Sequence, residues 1–87
     1  MPLRFIAKDP NTGSNASPTV WVDEEDDALV IQGWKASDDT LKECLETGSI
    51  PGHEAVVRIP ARMIDIMREA CDVAERAQLR RAVGEHS

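Results

Sequence analysis

Residues 19–34 have the sequence TVWVDEEDDALVIQGW, and this stretch decides the fold. Residues 19–23 and 28–34 are rich in Val, Ile and Trp, the residue types that strands favour. Residues 23–27 are five consecutive acids, which must stay in water because adjacent like charges are too costly to bury together. The stretch therefore predicts a β-hairpin with an acidic, solvated turn.

Two other segments also have strand character. Residues 54–59 (EAVVRI) alternate apolar and polar side chains in part, which predicts a third strand. Residues 3–7 (LRFIA) are a short apolar run, and whether they form an edge strand stays open. Gly33, beside Trp34, predicts a bulge or the close approach of another backbone segment.

Residues 8–18 (KDPNTGSNASP) are dense in turn-forming residues and predict a flexible loop. Their single glycine is not followed by the GK[ST] signature, which excludes a phosphate-binding loop of that class. Residues 84–87 are expected to be a disordered tail, since chain ends are often poorly ordered.

Two helices are predicted after the hairpin. Residues 37–46 begin with Ser37 or Asp38 as an N-cap, and Leu41, Cys44 and Leu45 form a short apolar stripe. The second helix, over residues 61–83, carries an apolar stripe with helical spacing. The stripe consists of Met63, Ile66, Met67, Ala70, Val73, Ala74 and Ala77, and is widened by Ile64 and Cys71.

The stripe has large side chains in its first half and alanines in its second half. The first half is expected to pack on the sheet. The small side chains of the second half indicate either that a neighbouring element lies close to the helix there or that the helix projects beyond the domain. Ala70, Ala74 and Ala77 would let another helix approach closely. Leu79 and Val83 would add apolar area there, and a frayed, solvated helix end is the alternative.

The polar side chains of this helix predict two ion pairs, Arg62 with Asp65 and Asp72 with Arg76. The chain has 87 residues, which favours one domain with a modest core. We therefore predict an α+β domain. Its small antiparallel sheet has three or four strands, and the short helix precedes a long C-terminal helix packed on one face.

The net charge of −6 is unevenly distributed. Residues 1–59 hold five Lys or Arg against eleven Asp or Glu, whereas residues 60–87 are neutral overall. A negative surface repels phosphates, which disfavours direct binding to nucleic acid or to an anionic membrane, and attracts basic partners. The alternative is that the charge serves only solubility.

No apolar run approaches the ~20 residues of a membrane span. The N-terminus lacks the apolar core of a signal peptide, so a cytoplasmic location is expected. Cys44 and Cys71 are expected to be free thiols buried on the inner faces of the helices.

The residue pattern predicts no catalytic, cofactor-binding or metal site. The acidic run lacks the alternating ligands and glycine of a calcium loop, and no zinc spacing is present. His53 beside Glu54, with Cys44 nearby in sequence, could form a nucleophilic dyad. Nothing in their spacing demands it, and an exposed turn histidine is the simpler interpretation.

Three segments carry a resemblance: SPTV at residues 17–20, VIQGW at 30–34 and IPGHEAVVRIP at 50–60. Residues 17–66 resemble a family of short acidic proteins of actinobacteria that tend to be encoded beside helix-turn-helix regulators. The resemblance carries no catalytic signature. It implies a link to a regulator, and the acidic run and the helix past Glu69 depart from the family pattern.

The first hypothesis is a small non-enzymatic regulatory or adaptor protein whose acidic hairpin binds a basic surface, such as that of a DNA-binding transcriptional regulator. The second is a homodimeric interaction module built on the long helix. The candidate partner-binding residues are Asp23, Glu24, Glu25, Asp26, Asp27, Trp34, Ala70, Ala74, Ala77, Leu79 and Val83.

Overall fold

The computed structural model describes residues 3–11 and 17–84, which form an α+β fold. A 3₁₀ turn precedes the long C-terminal helix. The elements in chain order are β1 (Leu3–Lys8), β2 (Thr19–Asp23), β3 (Ala28–Gln32), β4 (Trp34–Lys35), α1 (Asp38–Leu45), β5 (Val57–Arg58), the 3₁₀ turn (Ala61–Met63) and α2 (Ile64–Gly84).

The main sheet is antiparallel and has the strand order β1-β2-β3. The predicted hairpin is confirmed, with Asp23 opposite Ala28 and residues 24–27 as the turn. Its second strand ends at Gln32 rather than at Trp34, which belongs to β4. The N-terminal run also forms a strand: β1 pairs with β2 from Leu3 opposite Asp23 to Lys8 opposite Thr19. The register of β1 shifts between Phe5 and Ala7, which marks a bulge on this edge of the sheet.

The predicted third strand is shorter than expected and lies in a different sheet. Within this segment only Val57–Arg58 forms a strand, which pairs with Trp34–Lys35 in a separate two-stranded sheet. The prediction for Gly33 is confirmed as a close approach, since a Cβ there would lie 2.5 Å from the carbonyl oxygen of Arg58. The chain therefore turns from one sheet into the other at a position that only glycine fits.

Ser37 caps α1 as predicted, because its hydroxyl accepts a hydrogen bond from the Thr40 amide at 3.2 Å. None of the residues of α1 is buried, and the helix makes no extensive contact with the main sheet or with α2. Leu41 and Cys44 are half-buried and Leu45 is exposed. The segment from β4 to β5 is therefore a lightly packed unit beside the main body.

The core lies between one face of the main sheet and α2. Its fully or nearly fully buried members are Val20 and Val22 of β2 with Met63, Ala70 and Val73. The predicted stripe is confirmed, and the sheet itself is the close neighbour of its alanine-rich half, where Ala70 and Ala77 are also buried.

The predictions for Cys71 and Ile64 are wrong: both side chains are exposed. A helix rotates by about 100° per residue, so a position directly after Ala70 or Met63 points away from the sheet. Cys44 and Cys71 are both free thiols.

An ion pair between buried Asp9 and partly exposed Arg62 joins the end of β1 to the start of the C-terminal helical segment. The Asp9 side chain is fully buried and accepts two hydrogen bonds from Arg62. These hydrogen bonds raise the pKa of the Arg62 guanidinium above its ordinary value. The predicted pairing of Arg62 with Asp65 is wrong, and Asp65 lies 3.5 Å from Arg68 instead.

The predicted pairing of Asp72 with Arg76 is confirmed. The predicted loop over residues 8–18 is held at both ends, since the Asp9 amide donates to the Pro18 carbonyl at 2.9 Å and Ser17 is buried. Lys8 belongs to β1, and residues 12–16 lie outside the described residues. Gly84 is the last residue of α2, and residues 85–87 of the predicted tail also lie outside them.

Candidate protein-interaction site

The acidic turn is shaped by two of its own acids. The Asp23 carboxylate accepts hydrogen bonds from the amides of Glu25 and Asp26, both at 3.0 Å. Asp27 has a φ of 54°, the left-handed conformation that Asp tolerates better than most residues. Asp23 and Asp27 therefore have a structural role in closing the hairpin, whatever else they bind.

Two arginines at the end of α2 reach the acidic turn. Arg80 Nη2 donates to Glu24 Oε2 at 2.9 Å, and Arg81 forms an ion pair with Asp27. Arg81 Nη1 also donates to the Glu25 carbonyl oxygen at 3.3 Å. Partly exposed pairs of this kind contribute about 0.2–1 kcal/mol each. Together they fasten the last turns of α2 to the turn of the hairpin.

Glu25 and Asp26 form the exposed tip of the turn. Neither side chain makes an ion pair or a hydrogen bond within the part of the chain that the structure describes. Their carboxylates point into solvent next to a region where Glu24 and Asp27 are already neutralised. The negative charge that the turn offers to another molecule is therefore concentrated at these two residues.

The alanines of α2 do not lie on a free helix face, as the sequence suggested. Ala70 and Ala77 are buried, and Ala74 packs against the core. Ala70 and Ala74 therefore face the core of their own chain, whereas Ala77 lines a surface cavity of about 500 Å³ together with Glu24, Arg80 and Arg81. Leu79 and Val83 remain on the surface with exposed fractions of 65% and 69%.

Trp34 is separated from the acidic turn by the whole length of β3, which is about 17 Å for five residues. Its side chain is about half exposed, and the residue pairs with Arg58 in the small sheet. The candidate residues thus occupy three places: the acidic turn, the surface of the end of α2, and the β4–β5 sheet.

Two further apolar cavities open on the surface of the described residues. One, of about 580 Å³, lies between the end of β3 and the α1–β5 segment, with Ile31, Leu41, Ile50 and Val56 among its lining residues. The other, of about 540 Å³, lies beside the start of α2. Lys35 and Glu54 are the charged residues that line the first cavity, and Arg68 and Cys71 are among the residues that line the second.

Among residues 3–11 and 17–84, no group of three or more His, Cys, Asp or Glu side chains is placed to hold a metal ion. His53 Nε2 lies 3.7 Å from Glu54 Oε2, and both side chains are largely exposed. Within the same ranges, no helix is long and apolar enough to cross a lipid bilayer.

Comparison of this chain with protein-family models, curated protein sequences and solved structures finds no match. The resemblance to short acidic actinobacterial proteins therefore stays a prediction.

The contacts between Arg80, Arg81 and the turn are the feature of the site that the sequence did not reveal. Arg80 lies 56 residues from Glu24, and no local spacing pairs residues at that separation. The one available signal was the coincidence of an acidic run with a basic cluster at the end of the helix.

Proposed function

We propose that this protein is a small non-enzymatic regulatory or adaptor protein whose acidic turn binds a basic surface on another protein. The exposed pair Glu25 and Asp26 at the tip of the β2–β3 turn is the observation that carries the proposal. These carboxylates lie on a short hairpin turn. Its conformation is stabilised by the hydrogen bonds of Asp23 and by the contacts of Arg80 and Arg81 of α2.

The charge distribution supports a basic partner. Beyond the turn, exposed Asp38, Asp39, Glu43 and Glu46 add negative charge around α1. A surface of this sign raises the rate of encounter with a positively charged protein and lowers it for nucleic acid. A DNA-binding transcriptional regulator is a partner of suitable chemistry, because the surface with which it contacts phosphates is basic.

The fixed backbone of the turn also favours binding. The Asx-type hydrogen bonds of Asp23 and the contacts of Arg81 hold the backbone at Glu25 in place before any partner arrives. A preorganised loop loses less conformational entropy on binding than a mobile one. The two exposed carboxylates therefore project from a fixed backbone, and carboxylates are groups to which Arg side chains of a partner bind strongly.

The test is affinity capture from extracts of the native host, followed by titration of the purified captured protein. The variant E25Q/D26N removes two charges at the tip, and D38N/D39N removes two charges from the first turn of α1 as the matched control. We expect E25Q/D26N to weaken binding about tenfold at low salt and to reduce its salt dependence, and D38N/D39N to change both less. Equal affinities for both variants and for the unmodified protein would exclude the turn as the binding site.

A homodimer built on α2 is the second candidate function, with the charge serving only solubility. The exposed Leu79 and Val83, one helical turn apart, are the observation that favours it. The variant L79S/V83S should then sediment as a monomer at concentrations where the unmodified protein is a dimer. If both proteins sediment alike, these two side chains do not form the contact.

A further inference from the structure

The outer edge of β3 is unpaired, and the α1–β5 segment lies across a cavity from Ile31 and Gln32 at its end. The strand has the sequence ALVIQ, with no charge, no proline and no irregularity in its register with β2. Four of its five residues are exposed, and it is the last strand of the sheet. Within the described residues, no strand pairs with β3 on the side away from β2. An apolar edge of this kind is a template for pairing with a further strand.

The opposite edge of the sheet contrasts with β3. The register of β1 shifts between Phe5 and Ala7, and the strand carries the charged residues Arg4 and Lys8. Bulges and charges are the devices by which proteins prevent edge-to-edge association. One edge of the sheet is therefore closed to pairing and the other is open.

We propose that the β3 edge binds a second copy of this chain, with the two β3 strands antiparallel and Val30 of each copy at the two-fold axis. In this register Leu29 lies opposite Ile31 of the other copy, and Ala28 lies opposite Gln32. The strand is therefore complementary to itself, with no like charges facing each other, as an isologous contact requires. The two sheets join into one sheet of six strands.

The side chains on the helix-facing side of β3 support this pairing. Leu29 and Ile31 share a face with their partners in β2, Val22 and Val20, yet 37% and 36% of their surfaces remain exposed. α2 covers the centre of the sheet and leaves this margin uncovered. Each leucine would gain a cross-strand isoleucine neighbour in the dimer, and such pairs stabilise antiparallel sheets.

Charge complementarity favours a second copy over a foreign strand. The acidic turn precedes β3, whereas Gly33, Trp34 and Lys35 follow it. Antiparallel pairing therefore brings the turn of each copy to the end of β3 that leads to Lys35 of the other copy. Lys35 is exposed and makes no ion pair within the described ranges. The two acidic turns lie at opposite ends of the paired strands, so they do not repel each other at close range.

Sedimentation of the full chain from about 10 μM to 1 mM measures its association and tests the proposal. The same measurement is made on variants that place a charge at Val30, on the proposed two-fold axis. V30K places two lysines opposite each other, and V30E places two glutamates, so each variant alone should dissociate at least tenfold more readily than the unmodified protein. An equimolar mixture of the two should associate again, because a lysine then faces a glutamate. F5K, on the opposite edge of the sheet and the same face, is the control and should leave association unchanged.

Amide hydrogen exchange of the unmodified protein gives a second readout that needs no variant to fold. Exchange within residues 28–32 should slow as the concentration rises through the dissociation constant, and exchange within β1 should not. A monomer at 1 mM, or V30K and V30E that associate as well as the unmodified chain, would overturn the proposal. This outcome is distinct from that of the E25Q/D26N experiment, which concerns the tip of the turn.

Discussion

The Arg62 guanidinium contacts the Asp9 carboxylate across 53 positions of sequence, with Nε 2.7 Å from Oδ1 and Nη2 2.6 Å from Oδ2. The contact is bidentate, the geometry in which arginine binds carboxylates most strongly. The Asp9 side chain is fully buried, whereas that of Arg62 is 42% exposed. The pair joins the first strand to the start of the helical segment that covers the sheet.

This asymmetry in burial predicts unequal costs for removing the two partners. R62A removes two hydrogen bonds from a buried carboxylate, so it should lower the free energy of unfolding more than D9A does. D9A leaves an arginine that water can reach, so about 2 kcal/mol is expected. R62K should lie between R62A and the unmodified protein, because an ammonium group cannot reproduce the bidentate contact.

Urea unfolding measures these changes, with D65A as the control because its partner Arg68 lies 3.5 Å away on an exposed surface. D65A should change the free energy of unfolding by less than about 0.5 kcal/mol. A loss for D9A as small as that for D65A would show that the pair contributes little to stability.

The close approach at Gly33 predicts that a larger residue there lowers stability. In G33A the new methyl group would lie 2.5 Å from the Arg58 carbonyl oxygen, so the two backbones must move apart. We expect a loss of about 2 kcal/mol, the usual range for overpacking, and weaker pairing of β4 with β5. G52A is the control, since nothing lies within 4 Å of a Cβ at Gly52. Thermal unfolding and Trp fluorescence would detect the difference, and equal stabilities would contradict the close approach.

Met63 is the largest fully buried side chain of the core. M63A should therefore cost about 2–5 kcal/mol, because it removes apolar contacts and leaves a cavity. That is a large share of the stability expected for a domain of this size. I64A, at the neighbouring position and about half exposed, should cost under about 1 kcal/mol. Similar losses of stability for M63A and I64A would contradict the inward orientation of Met63 and the outward orientation of Ile64.

The cap of α1 predicts a change in local rather than global stability. S37A removes the hydroxyl that accepts from the Thr40 amide, which costs about 1 kcal/mol of helix stability. Because α1 has no buried residue, it should open without unfolding the main sheet. Amide exchange in residues 38–45 should rise about fivefold while the urea midpoint stays constant, and S49A is the control. A shifted midpoint would show that α1 is coupled to the core.

The features predicted correctly from the sequence were those with a local physical cause. The hairpin followed from two apolar runs around acids that must remain hydrated. The cap at Ser37 and the apolar stripe from Met63 to Ala77 followed from helical spacing. Gly33 was identified because a glycine inside a strand pattern marks a place where another backbone comes close.

The features that were missed depend on contacts between distant parts of the chain. Arg62 has an acid three residues away, yet it pairs with Asp9, whose position relative to the helix exists only in the folded chain. Residues 54–59 have the pattern of a strand, but a strand needs a partner strand, and within this segment only Val57–Arg58 pairs with one. For the same reason, the small residues of α2 indicated a close neighbour without showing that the sheet was this neighbour.

The position of the core along the chain has a consequence for synthesis in the cell. Val20 and Val22 are synthesised well before Met63, Ala70 and Val73, the side chains that cover them. A nascent chain leaving the ribosome therefore carries an uncovered apolar sheet surface until residues 63–73 have also been synthesised. Chains that stop before Met63 would keep that surface bare, which makes them substrates for chaperones and proteases.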